Sequence, residues 1–333
     1  MRHLLSILFA FTLLHPNYCS AQEPHWKLRP LKYNNPGLRV DLGVGLWAWP
    51  MPMDYDGDGD LDLLVSCPDK PSNGVYFFEN PSQDAAEKTP VFKPGVRVGK
   101  TSSNFQVSYV AGQPRILHTC FEFPRDEKTG AFDFARGKRI YPKNNVHENR
   151  VRANMWRYVD FEGDGDQDLV VGAGDWTDYG WDHAYDSHGR WRNGRLHGYV
   201  YLIVNDGSDQ RPQYSAQPRK LTAGGGVIDV YGWPSPNFAD FDDDGDLDLY
   251  VANDFGENGY YRNDGAVFVD AAGELGLSDP GNGMGASFGD FDNDGHLDLH
   301  VTNMSSTAGN RILQRLFPDA ATQMDQTRVL NKL

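Results

Sequence analysis

An all-β chain built from repeated short-strand units is what this sequence predicts, and three observations carry it. Four nearly identical nine-residue windows recur along the chain. Each runs directly into a short apolar segment rich in β-branched and aromatic residues, which reads as strand. Windows three and four begin 50 residues apart, a spacing that suits one unit of four short strands.

The windows are DYDGDGDLD (Asp54 to Asp62), DFEGDGDQD (Asp160 to Asp168), DFDDDGDLD (Asp240 to Asp248) and DFDNDGHLD (Asp290 to Asp298). They continue as LLVSC, LVVGA, LYVAN and LHVTN. Oxygen ligands at positions 1, 3 and 5 of a tightly curled loop converge on one point. Those positions hold Asp54, Asp56 and Asp58; Asp160, Glu162 and Asp164; Asp240, Asp242 and Asp244; and Asp290, Asp292 and Asp294. Glycine at position 6 (Gly59, Gly165, Gly245, Gly295) allows the turn. Position 7 supplies a backbone carbonyl, so its side chain is free to vary among Asp60, Asp166, Asp246 and His296. A carboxylate at position 9 (Asp62, Asp168, Asp248, Asp298) completes the cage.

Such an oxygen set fits calcium, which accepts six to eight ligands at flexible geometry, better than magnesium. No His or Cys stands at a side-chain ligand position, which argues against zinc. An EF-hand would need a bidentate Glu at position 12 between two helices. Position 12 is Val65, Val171, Val251 or Val301, and the flanks are strands. The expectation is about four bound Ca2+ ions.

The D-x-D-x-D-G-x-x-D-L pattern followed by a strand resembles the FG-GAP or VCBS repeat of integrin-α-type β-propellers. Phe288-Gly289 before the fourth loop and Gly172-Ala173 after the second match its name-giving fragments in part. The stretch from about Ala239 to Asn310, with FADFDDDGDLDLYVANDFG and GMGASFGDFDNDGHLDLHVTNMSSTAGNR, is most similar to repeats of cartilage acidic protein-like (ASPIC/UnbV-associated) proteins. The resemblance implies a β-propeller of four-stranded blades with calcium ligands at positions 1, 3, 5 and 9. It does not imply one role, because this fold hosts many.

Counting from the windows gives five recognisable blades, the last incomplete. Windows one and two begin 106 residues apart, enough for two blades; the second, around Phe105 to Tyr141, lacks a metal loop. Within the first blade, LDLLVSC, GVYFFEN and VFKPGVRVG read as successive strands. The family ring usually closes with seven blades. An unclosed ring would expose sheet edges, so truncation, completion by self-association, or further weakly patterned strands stay open.

At the amino terminus, Arg2 and His3 precede an uncharged run from Leu4 to Leu14, with small residues Ser20 and Ala21 before Gln22. That order predicts a secretory signal peptide over 1–21, and hence a secreted protein, extracellular or periplasmic. No segment is long and apolar enough to predict a membrane span. The propeller is expected over 22–310, with a polar, helical or frayed tail over 311–333. Cys67 and Cys120 are too few for a disulfide framework, and a single bridge and two buried thiols both remain open.

The formal charge of -15 is local in origin. The four windows hold 20 of the 46 acids, leaving 26 against 31 Lys and Arg. The acidity therefore describes metal sites, and the chain lacks the concentrated basic face that nucleic acid requires.

Trp176 to His197 (WTDYGWDHAYDSHGRWRNGRLH) holds three of the eight Trp and three of the ten His. Aromatic faces beside Asp, Asn and Arg suit a sugar ring, although the same rings also read as loop aromatics packed on a blade. His183, His188 and His197 lack the short spacing of a transition-metal site. The chain shows no nucleophile elbow, no H-E-x-x-H and no phosphate loop. The sequence thus predicts a non-catalytic module for an extracellular carbohydrate or protein ligand. The alternative is a polysaccharide lyase or glycosidase with the 176–197 segment over its site.

Overall fold

The computed structural model describes residues 32–33, 48–68, 73–81, 91–143, 146–147, 150–180, 184–254, 256–265, 267–279, 283–289 and 297–303. The predicted signal peptide, the tail and most of the fourth loop lie outside them.

Alternating and continuous apolar runs between turn-formers give short antiparallel strands, and these assemble into four sheets of at least four strands. Blade one contains Trp49–Met53, Asp62–Cys67, Gly74–Phe78 and Val96–Gly99. Blade two contains Gln106–Val110, Gln113–His118, Phe121–Phe123 and Lys138–Arg139. Blade three is built on Val151–Val159, Asp168–Asp175 and His197–Ile203, and both Arg219–Lys220 and Asp229–Val230 pair with its third strand. Blade four runs Pro234–Ala239, Asp248–Asn253, Gly259–Asn263 and Phe268–Asp270, extended by the Thr222–Ala223 and Gly226–Val227 hairpin. A fifth sheet has two described strands, Gly283–Gly289 and Asp298–Asn303. The all-β propeller expectation is met.

One expected strand divides. In VFKPGVRVG only Val96–Gly99 joins blade one, whereas Val91–Phe92 leaves to pair in parallel with Lys32–Tyr33. The Pro94-Gly95 step separates the two pieces.

Apolar layers fill the gaps between neighbouring blades. Met51, Met53, Leu64 and Val75 meet Phe105, Val107, Ile116 and Phe123 between blades one and two. Leu117 and Cys120 face Trp156, Leu169, Val171 and Tyr201 between two and three. Val159, Val170, Val200 and Leu202 meet Leu249, Val251 and Phe268 between three and four. Tyr250, Ala252 and Tyr260 pack on Ala286 and Phe288 of the fifth sheet. At the third of these layers the backbones almost touch. A Cβ on Gly172 would stand 2.2 Å from the Pro234 carbonyl oxygen, so only glycine fits.

The fifth sheet closes on the first, since Ser287 Oγ donates to the Pro50 carbonyl at 3.1 Å. The open edge expected of an incomplete ring is therefore sealed at the inner strands. Cys67 and Cys120 are buried thiols, not a disulfide, and Cys120 Sγ accepts from Arg139 Nη1 at 3.2 Å. Among the described residues no helix is long and apolar enough to cross a membrane.

Candidate functional site

In blades one, three and four the acidic window connects the first strand to the second, which places all three described loops at the same end of their sheets. The turn chemistry follows the sequence. Gly59, Gly165 and Gly245 have φ of 98°, 91° and 93°, a region closed to most side chains. Position 4 is also left-handed at Gly57, Gly163 and Asp243, and Asp tolerates that conformation better than most residues.

Loops one and three bring three acids each together. Single carboxylate oxygens of Asp54, Asp56 and Asp58 come within 4.8 Å of one another, as do those of Asp240, Asp242 and Asp244. Burial pushes Asp60 up to about 6, and the neighbouring Asp58, Asp56 and Asp54 push in the same direction. Both Asp60 oxygens and Asp240 Oδ1 are sheltered from solvent and accept no hydrogen bond. A set of crowded, unsatisfied carboxylate oxygens is what a hard divalent cation fits. Among the described residues the acids of loop two form no such close group, although their burial matches that of loops one and three. Asp160 accepts from the backbone N–H of Asp164 at 3.0 Å and of Gly165 at 3.1 Å, while Glu162 is exposed. Asp166 Oδ1 accepts from Asp209 N at 3.2 Å. Asp290, Asp292, Asp294 and His296 lie outside the described residues, and for Asp298 only the strand backbone is described.

The position 9 carboxylates have a second role that sequence reading missed. Asp62 accepts from Tyr55 N at 3.1 Å and Asn80 N at 2.8 Å. Asp168 accepts from Phe161 N at 3.1 Å and Asn205 N at 2.7 Å. Asp248 accepts from Phe241 N at 3.2 Å, Asn263 N at 2.7 Å and the Tyr260 hydroxyl at 2.7 Å. Each clasps its own loop to an Asn at the end of the third strand or two residues past it. All three are buried, and burial lifts Asp62 to about 7 and Asp168 to about 6. The repeated Asn at the far end of the third strand (Asn80, Asn205, Asn263) was the available signal.

Blade two joins its first strands through Ala111-Gly112, both at positive φ (50° and 74°), the two-residue turn that matches hairpin twist. Where the other blades raise a nine-residue loop, this one is flat. A cleft of about 640 Å3 occupies the gap, bounded by Tyr55 and Asp56 of loop one and by Arg115, Glu122 and Arg125 of blade two.

The Trp176 to His197 segment connects the second and third strands of blade three, so it sits at the end opposite the acidic loops. Its rings do not all pack down. Tyr185 is 64% exposed, Trp191 40% and nearby Tyr231 37%. Tyr179 lies 4.7 Å from Trp191, and Tyr185 meets Trp191 edge-on at 5.3 Å. Asn193 Nδ2 donates to the Tyr179 carbonyl at 2.6 Å, and the Arg195 guanidinium lies 5.9 Å from the Tyr231 ring centre. Trp176, by contrast, is buried and clamps Arg152 with Trp233, the guanidinium lying 4.6 and 5.2 Å from the two rings. Of the three candidate histidines, His183 lies outside the described residues, and His188 is an exposed turn residue. His197 bonds Asp229 Oδ2 through Nδ1 at 2.7 Å. Beside it, His147 bridges Tyr201 OH (2.5 Å, Nδ1) and Asp175 Oδ2 (2.7 Å, Nε2).

Asp254 is buried near Arg152, and its Oδ1 accepts no hydrogen bond. Burial pushes this carboxyl up to about 7, against the pull of Arg152. A raised acid keeps its proton in the folded chain where the unfolded chain has lost it. Its stabilising contribution is full below about pH 4 and drains away as pH rises through 7. Asp254→Asn is therefore expected to gain on the parent by about 2–4 kcal/mol between pH 4 and pH 8. Paired urea titrations at both pH values check this; a pH-independent difference would contradict it.

With this geometry in place, comparison with known proteins identifies one stretch. Residues 240–301 are an FG-GAP-like repeat. The FG-GAP-like repeat begins at the first residue of loop three and ends inside the second strand of the fifth sheet. It thus spans most of blade four and the seam to the fifth sheet. No curated protein matches the chain. Among solved structures, the chain is similar to an Agrocybe aegerita lectin described by its specific recognition of non-reducing terminal N-acetylglucosamine. The identity is 17% and the TM-score 0.35, covering 77% of this chain and 71% of that one.

Proposed function

We propose that this chain is a secreted, calcium-stabilised β-propeller that binds carbohydrate on the aromatic face of blade three. The single observation that carries the ligand reading is the exposed Tyr185 and Trp191 beside half-buried Tyr179, with Asp178, Asn193 and Arg195 around them. Ring faces contribute apolar stacking, and the flanking amide, carboxylate and guanidinium supply hydrogen bonds to hydroxyls. The amino-terminal segment supports export. The converging carboxylates of Asp54, Asp56 and Asp58 and of Asp240, Asp242 and Asp244 support calcium in loops one and three. A bound ion would neutralise the crowded carboxylates and tie each loop to its strands, so its binding energy adds to folding stability.

A panel of labelled glycans tests the ligand. Trp191→Ala is expected to weaken binding about tenfold or more, with unfolding unchanged. No retained glycan, or equal retention by the variant, would remove the reading. Melting in calcium against EDTA tests the metal, with a rise of several degrees expected. A second reading is favoured by the Asp175–His147–Tyr201 chain, whose order suits proton transfer: a polysaccharide lyase or glycosidase. Shortening of the panel glycans, as opposed to retention, would establish it.

A further inference from the structure

The inner strands meet at a polar hub. Arg157 of blade three, 8% exposed, donates through Nη2 to Gln106 Oε1 of blade two at 2.6 Å and to the Ala286 carbonyl of the fifth sheet at 2.8 Å. Its Nη1 donates to the Val107 carbonyl. Blade three is flanked by blades two and four, so a bond from it to the fifth sheet crosses the middle of the ring. Ser235 of blade four likewise reaches Gln106 of blade two, its Oγ donating to Oε1 at 3.2 Å.

Every acceptor of this guanidinium is neutral, and no carboxylate among the described residues bonds it. Its Nε–H, fully sheltered from solvent, has no acceptor. Burial pulls the group down only to about 9, so it remains a cation at neutral pH. A buried charge without a counter-charge is costly, and an orphaned buried donor in a native structure calls for an unseen water or ion.

We propose that the hub holds a small monovalent anion, chloride in practice, accepting a hydrogen bond from Arg157 Nε. The anion neutralises the guanidinium at the ring axis and accepts from Nε, the guanidinium nitrogen that no protein acceptor reaches. The site is independent of the calcium loops and of the aromatic face, and it stabilises the ring centre. The competitor is a water that accepts from Arg157 Nε.

Thermal unfolding in sodium chloride, bromide and gluconate, at fixed ionic strength and fixed calcium, tests the proposal on the intact chain. Chloride and bromide are expected to raise Tm saturably over gluconate, by about 2–4 °C at tenfold excess over Kd. In Arg157→Met, a substitution of similar length without the charge, the anion dependence is expected to vanish. Identical melting in all three salts would overturn the site, as would an unchanged halide effect in the variant. Should the variant not fold, anomalous diffraction from bromide-soaked crystals decides. A bromide peak within hydrogen-bond reach of Nε supports the proposal, and a water there refutes it.

Discussion

In EDTA, Asp248→Ala is expected to lose about 3–5 kcal/mol of unfolding free energy, while Asp244→Ala loses little. Both residues are acids of the same loop. Asp248, however, accepts from two backbone N–H groups and from the Tyr260 hydroxyl, all within 3.2 Å. Alanine would strand three donors in a buried setting, at about 1–3 kcal/mol each before relaxation. Asp244 belongs to the exposed side of the loop, beside Asp240 and Asp242, so its removal relieves like-charge crowding when no cation is present. In calcium the contrast narrows, because Asp244→Ala then loses a ligand. Urea unfolding of both variants in each condition gives four numbers. Equal losses in EDTA would show that Asp248 matters only through a metal.

Gly172→Val is expected to cost about 3 kcal/mol or more, with calcium making no difference to the loss. The new side chain would meet the Pro234 carbonyl at 2.2 Å and Pro236 Cδ at 2.7 Å. Neither neighbour is a flexible side-chain tip that can swing away, so blades three and four would have to part. The unfolded-state gain from replacing glycine, about 0.4–1 kcal/mol, is too small to compensate. A denaturation midpoint within error of the parent would mean the interface is looser than this contact requires.

The turn glycines, the strand that follows each window and the three-carboxyl groups of loops one and three were all legible in the sequence. They are local, set by residues within a dozen positions of one another. The clasp by Asp62, Asp168 and Asp248 was not, because its partners Asn80, Asn205 and Asn263 stand 15 to 37 residues away. Ring closure was hidden for the same reason: Ser287 and Pro50 are separated by 237 positions. The wider spacing of loop two's acids had one visible cue, Glu162 at a position held elsewhere by Asp. Nothing in WTDYGWDHAYDSHGRWRNGRLH distinguishes Trp176, which is buried, from Trp191, which stands in solvent. That difference depends on Arg152, on the first strand of blade three, and on Trp233, just before the first strand of blade four.

Near-identical repeats carry a hazard of their own, because a strand from one unit can pair with the wrong neighbour during folding. The two-residue turn at Ala111-Gly112 makes blade two unlike the others. Its first hairpin closes over the shortest possible separation and gathers no acids, so it forms without waiting for a cation. A chain that sets this hairpin first has a fixed origin from which the remaining units are counted. In such a chain the missing loop would act as a starting mark against misregistration, and an acidic loop restored there is expected to slow refolding and increase aggregation.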